Sequence, residues 1–284
     1  MGKSVMFLLV ICIIISLMPL GNAETLTLPK YYMPLEDELH EGTWLQWPHD
    51  YTYGYGNRKE LEDIWIEMTK ELAKGENVHI IAYNRTEKKH IKKVLNKANV
   101  DMSKVDFYLF KTNDTWIRDN GPIFVYDDQD DLVITNWEFN GWGEKYPYFH
   151  DNLIPKKISN AIHVLREDIN MVLEGGAIEH DGNGTCMATL TSIVNDNRNP
   201  GLTVEDVEEY LTYYLGFTNF IWLDGTISEN DVTDCHIDGF VKFVNDEKIV
   251  TMSDEDLQYW GLSVKDCATL YNAQNANGIQ YDFV

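Results

Sequence analysis

The sequence predicts a single-domain α/β fold, and three observations carry the prediction. Short apolar strand patterns alternate with amphipathic helix patterns along the chain. Once a leader is set aside, roughly 260 residues remain, enough for one large domain with a real core. Finally, no low-complexity or Pro/Gly/Ser-rich stretch divides them.

The elements follow in order. Thr43–Trp47 reads as a strand, and Leu61, Ile64, Trp65, Met68 and Leu72 then fall on one helical face. Lys74-Gly75 ends that helix, and Val78–Tyr83 is a buried strand. A charged helix over residues 86–96 and a strand over 105–110 come next. Strands at Ile123–Tyr126 and Leu132–Thr135 bracket an aspartate-rich stretch whose turn chemistry makes a hairpin. That stretch lacks the glycine and distal glutamate of a calcium hand, so it reads as a solvated turn. A helix over 154–165 precedes strands at Met171–Leu173, Ala177–Glu179 and Cys186–Leu190. Asp181-Gly182-Asn183-Gly184 supplies the turn between the last two. Thr203, with Asp206 three positions on, caps a helix whose apolar stripe is Val207, Tyr210, Leu211 and Tyr214. Phe220–Leu223 and Phe240–Val244 are further strands, and residues 254–273 read as helical.

Residues 1–23 have the layout of a secretory signal peptide: Lys3, an apolar run from Val5 to Met18, then Gly21 and Ala23 at signal-peptidase spacing. Residues 24–284 form the domain, and a secreted location follows. Cleavage after Ala23 removes Lys3 and takes the formal net charge from −23 to −24. So acidic a chain does not suit nucleic acid or an anionic membrane surface, and it suits a cationic small molecule. Cys186, Cys235 and Cys267 lack the spacing of a disulfide framework. Sequons stand at Asn84, Asn113 and Asn183, with Asn113 expected bare because Trp116 is so close.

Two motifs carry the chemistry. Trp116-Ile117-Arg118-Asp119-Asn120-Gly121-Pro122 and Thr233-Asp234-Cys235-His236-Ile237-Asp238 each offer a carboxylate, and the second adds a histidine. Read as a strand, the second motif points His236 and Asp238 to one face. A guanidinium ion is planar, permanently charged, and presents donors in a fork that matches a carboxylate. Asp119 and Asp238 could grip its edges while His236 transfers protons. Leu173-Glu174-Gly175-Gly176 adds an acid beside glycines that permit close backbone approach. Taken singly, each motif also reads as structure: a satisfied histidine, a salt-bridged turn, a core tryptophan.

Together and in this order, these motifs resemble the agmatine deiminase family of guanidino-modifying enzymes, which includes the bacterial-type peptidylarginine deiminases. Met33-Pro34, His40–Trp44, Trp47-Pro48, Phe139–Gly143 and Asn197-Arg198-Asn199-Pro200 extend the match over the whole mature chain. The resemblance implies an α/β propeller (pentein) of ββαβ-type blades with five-fold pseudosymmetry, its last blade missing here. It implies that Asp119 and Asp238 bind the guanidinium, that His236 is general acid and base, that Glu174 assists, and that Trp116 lies near the substrate. The reaction implied is agmatine plus water giving N-carbamoylputrescine and ammonia, with no metal or organic cofactor.

The chain departs from the family pattern at Cys235, where glycine is usual, and at Val232, where an acid is usual. The family's nucleophilic cysteine lies in a C-terminal G-G-G-x-x-H-C motif, and nothing between Asp238 and Val284 matches it. The expectation is therefore a truncated deiminase. A secreted non-catalytic binder of guanidino compounds and a secreted protein-arginine deiminase are the alternatives. An open propeller edge would favour a homodimer.

Overall fold

The computed structural model of the chain describes residues 28–36, 38–53 and 57–284. The signal segment read at residues 1–23 lies outside them. Among the described residues no helix is long and apolar enough to cross a membrane.

The strands are β1 (Gly42–Gln46), β2 (Asn77–Ala82), β3 (Val105–Leu109), β4 (Ile123–Tyr126), β5 (Leu132–Glu138), β6 (Leu165–Val172), β7 (Ile178–His180), β8 (Thr185–Thr189), β9 (Asn219–Leu223), β10 (Val241–Asn245), β11 (Lys248–Thr251) and β12 (Asp282–Phe283). Among the described residues they form four separate three-stranded sheets, each ordered as in the chain. In the first sheet β1, β2 and β3 all run parallel, joined by the helices Asn57–Leu72 and Arg85–Lys97. The other three repeat one unit: an antiparallel hairpin, a helical crossover, then a third strand parallel to the second. The crossovers are Ile154–Ile162, Val204–Leu215, and the pair Asp254–Tyr259 and Val264–Tyr271.

The sheets hide their apolar faces under helices, in part under a neighbouring unit's helix. Val125, Val133 and Ile169 of the second sheet join Val207, Leu211 and Leu215 of the third sheet's helix in one cluster. Val78, Ile80, Ile91 and Leu95 centre the first unit, and Phe243, Ile249, Leu257 and Leu270 the last. Asp181 closes the β7–β8 turn by accepting from the N–H groups of Asn183 and Thr185 at 2.8 and 2.9 Å. The capping box at Thr203 and Asp206 is formed in both directions.

Three expectations change. The helix read as reaching Leu165 stops at Ile162, where His163 turns left-handed (φ 60°), and β6 begins at once. The strand read at 171–173 is the end of that longer strand. The helical stretch over 254–273 is two helices, broken at Trp260-Gly261 where Gly261 has φ +116°.

Candidate functional site

The site is built from the lead-in turns of the three repeated hairpins. A one-turn helix, Ile117–Asn120, precedes β4 and carries Asp119. A 3-10 turn, Gly175–Ala177, precedes β7 and follows Glu174. A second 3-10 turn, Ile237–Gly239, precedes β10, with His236 as its cap and Asp238 within it. The strand reading of Thr233–Asp238 is thus corrected. Asp234 and Cys235 both have positive φ (61° and 75°), which no strand allows, and the reversal brings His236 and Asp238 to the same space. Positive φ is also the physical reason for glycine at the position of Cys235 in the family pattern.

Gly176 is the floor of that space. A Cβ placed there would lie 2.7 Å from Asp119 Oδ1, 2.7 Å from Asp238 Oδ2 and 2.7 Å from His236 Nδ1. Only a residue without a side chain lets these three groups converge. The Gly176 N–H donates to Asp119 Oδ1 at 3.1 Å, and the Trp142 indole N–H donates to Asp119 Oδ2 at 3.0 Å. Trp142 is held for this in left-handed backbone (φ 58°), between Gly141 and Gly143.

His236 is buried between two carboxylates. Its Nε2 lies 2.6 Å from Glu174 Oε2, and its Nδ1 lies 3.5 Å from Asp119 Oδ1. Burial favours the neutral ring, but the charge of Asp119 and the Glu174 hydrogen bond outweigh it and hold the imidazole above its ordinary range. Burial likewise lifts the Asp119 carboxyl, with the facing imidazolium and the Trp142 N–H opposing. Asp238 opens to solvent, yet the surrounding protein still desolvates its carboxyl enough to raise it, against His236, Arg118 and Lys242.

Behind these groups lies an ion network, buried at Arg198, Glu174 and Asp234, that the sequence motifs did not reveal. Arg198 grips Glu174 with two parallel bonds, Nε to Oε1 at 3.0 Å and Nη2 to Oε2 at 3.1 Å. Its Nη1 pairs with Asp234, and its Nη2 also donates to Thr233 O at 3.1 Å. Asp234 is further held by Lys145 Nζ at 2.7 Å and Asn197 Nδ2 at 3.0 Å, and these partners keep its carboxyl low despite burial. The Asn197–Pro200 and Phe139–Gly143 stretches were noted in the sequence only as matching segments. Their signal was the clustering of Asn, Arg and aromatic residues with glycines between strands.

Asp119, Glu174, His236 and Asp238 therefore come together. Trp116 opens the same turn as Asp119 and is 52% exposed. Among the described residues no group of three or more His, Cys, Asp or Glu side chains is arranged to hold a metal ion. Cys186, Cys235 and Cys267 are free and buried in apolar cores. Burial pushes the Cys235 thiol up to about 11 and raises the other two as well.

Known proteins resemble the chain over most of its length. The agmatine deiminase of Pseudomonas aeruginosa (strain LESB58) is 31% identical over 232 residues, covering 80% of this chain and 61% of that protein. The agmatine deiminase of Stutzerimonas stutzeri is 32% identical over 232 residues, with the same coverage of 80% and 61%. The chain thus spans about three fifths of the length of these relatives. A solved structure of the agmatine deiminase of Enterococcus faecalis superimposes with a TM-score of 0.79 at 25% identity, over 89% of this chain and 70% of that one. The sequence profile of the Porphyromonas-type peptidyl-arginine deiminase family matches residues 32–284. The chain belongs to that family.

Proposed function

We propose that this chain supplies the guanidinium grip and proton-transfer groups of an agmatine deiminase-type hydrolase, converting agmatine and water to N-carbamoylputrescine and ammonia. One observation carries the reading: Asp119, Asp238 and His236 converge on the space that Gly176 leaves open, with Glu174 behind the imidazole. In this reading the guanidinium presents N–H edges to Asp119 and Asp238, which offset its charge and fix its carbon. The imidazolium of His236, kept protonated by its two flanking carboxylates, gives a proton to the departing ammonia. Once neutral, it recovers that proton from the water whose oxygen forms the new C–O bond in place of the broken C–N bond. The three repeated hairpin units would be members of a five-fold pseudosymmetric ring, and we propose that the protein acts after export.

A second reading rests on the thiols. No described cysteine combines exposure with a lowered pKa, so attack on the guanidinium carbon has no candidate among them, and a non-catalytic guanidine binder uses the same grip. Calorimetry with agmatine beside an ammonia-release assay tests both. Binding with ammonia release supports the hydrolase, binding without release supports the binder, and no agmatine binding removes the grip itself.

A further inference from the structure

Residues 32–36, ahead of β1, are pinned to the rest of the fold at several points. Tyr32 pairs with Tyr126 of β4, and the Met33 N–H donates to Leu215 O at 3.0 Å. Leu35 fills the place a side chain on Gly182 would take. Glu36 follows, and its two carboxylate oxygens bridge two cations, Oε1 to Arg118 and Oε2 to Lys242.

Those cations come from separate units. Arg118 adjoins Asp119 in the first lead-in turn, and Lys242 lies on β10, four positions beyond Asp238. Lys242 also reaches Glu179 Oε1 at 3.1 Å. Arg118 is the chain neighbour of Asp119, and β10 with Lys242 leads directly out of the turn that holds Asp238, so the bridge lies beside the site, where both positive charges act on the Asp238 carboxyl. Each cation keeps 46% side-chain exposure.

Without Glu36, Arg118 and Lys242 would form a two-cation fork suited to a carboxylate. With Glu36 and Glu179 in place the pair is neutralised, and Asp238 leaves the mouth net negative. Building on the guanidine reading above, we infer that Glu36 determines specificity: it occupies the fork that an α-carboxylate would use and selects guanidines with a cationic tail over those bearing a carboxylate.

Calorimetry on the full chain with agmatine and with free arginine tests this. Glu36→Gln is expected to shift the agmatine-to-arginine affinity ratio toward arginine by about fivefold at low salt, the size of a well-formed exposed ion pair. Adding Lys242→Met to that variant should return the ratio toward wild type, and Lys242→Met alone should move it toward agmatine. If wild type binds agmatine but neither single variant moves the ratio, the inference falls while the guanidine reading stands. A shift in Glu36→Gln that survives Lys242→Met also overturns it, because the fork is then not its source. If wild type binds neither guanidine, both fall together.

Discussion

Glu174 stands between Arg198 and His236, accepting two bonds from the guanidinium and approaching the imidazole at 2.6 Å. Arg198 and Glu174 expose 1% and 0% of their side chains, so neither charge has water to fall back on. Removing one partner of such a pair leaves a buried charge uncompensated. Arg198→Met is therefore expected to lower unfolding free energy by about 3–5 kcal/mol, measured by urea titration. Loss of less than about 1 kcal/mol would mean that Glu174 finds another partner.

Gly176→Ala isolates the floor of the site. The added methyl must displace Asp119, Asp238 or His236, since it would sit 2.7 Å from an atom of each. Asp238 is exposed and can move freely, whereas Asp119 and His236 are buried and held by Trp142 and Glu174, so the convergence is lost at some cost in stability. Agmatine affinity is expected to fall at least about tenfold, or 1.4 kcal/mol, under conditions where circular dichroism shows the variant folded. Unchanged affinity would show that the ligand does not use this space.

The histidine should report its carboxylate neighbours directly. Its midpoint, followed by NMR, is expected above the ordinary 6.5, and Asp119→Asn should lower it by removing the charge that raises it. The stability consequence has a definite sign. A folded-state pKa above the unfolded one gives stabilisation that is complete below the unfolded value and lost as pH rises through the folded value. Unfolding free energy should thus decline above about pH 6.5 through this group, and His236→Gln should remove that part of the slope. A midpoint below 6.5 would put the neutral ring in the resting site and undo its role as proton donor.

Much of this was legible locally and some of it could not be. Thr203 and Asp206 sit three apart, so their capping box is written in adjacent letters, and the site acids stood out because their motifs are compact. The turn at Asp234-Cys235 was hidden although Asp231 holds it locally, accepting from the Thr233 and Cys235 N–H groups, because its other bonds are distant. Lys145 and the adjacent pair Asn197-Arg198 hold Asp234 from two other segments, while the local letters alternate like a strand. The length of β6 was hidden for a similar reason. Its acidic, half-exposed run Leu165–Val172 is a strand only because β5 lies alongside it.

The same turn yields a stability comparison. Cys235 has φ 75°, a conformation that costs a residue with a Cβ about 1–2 kcal/mol. Its thiol is also packed in the core beside Ile237 and Leu262. Cys235→Ala loses the packing and keeps the strain, whereas Cys235→Gly relieves it. The glycine variant is expected to be the more stable of the two by about 1 kcal/mol in urea. The reverse order would mean that neighbouring bonds, including Cys235 N–H to Asp231 at 2.7 Å, already absorb the strain.

Thiol chemistry bears on how the site could be completed. A nucleophilic cysteine needs exposure and a positive field that favours its thiolate. Cys186 is 1% exposed with Glu179 and Asp181 nearby, Cys235 is 1% exposed, and Cys267 is 6% exposed near Asp254 and Asp266. Burial and neighbouring acids push all three thiols the wrong way for reactivity. Iodoacetamide at pH 8 followed by peptide mapping should leave all three unmodified in the folded chain and modify them in denaturant. Rapid native labelling of Cys235, which adjoins His236, would contradict its assignment to the core and make it a candidate for attack on the guanidinium carbon.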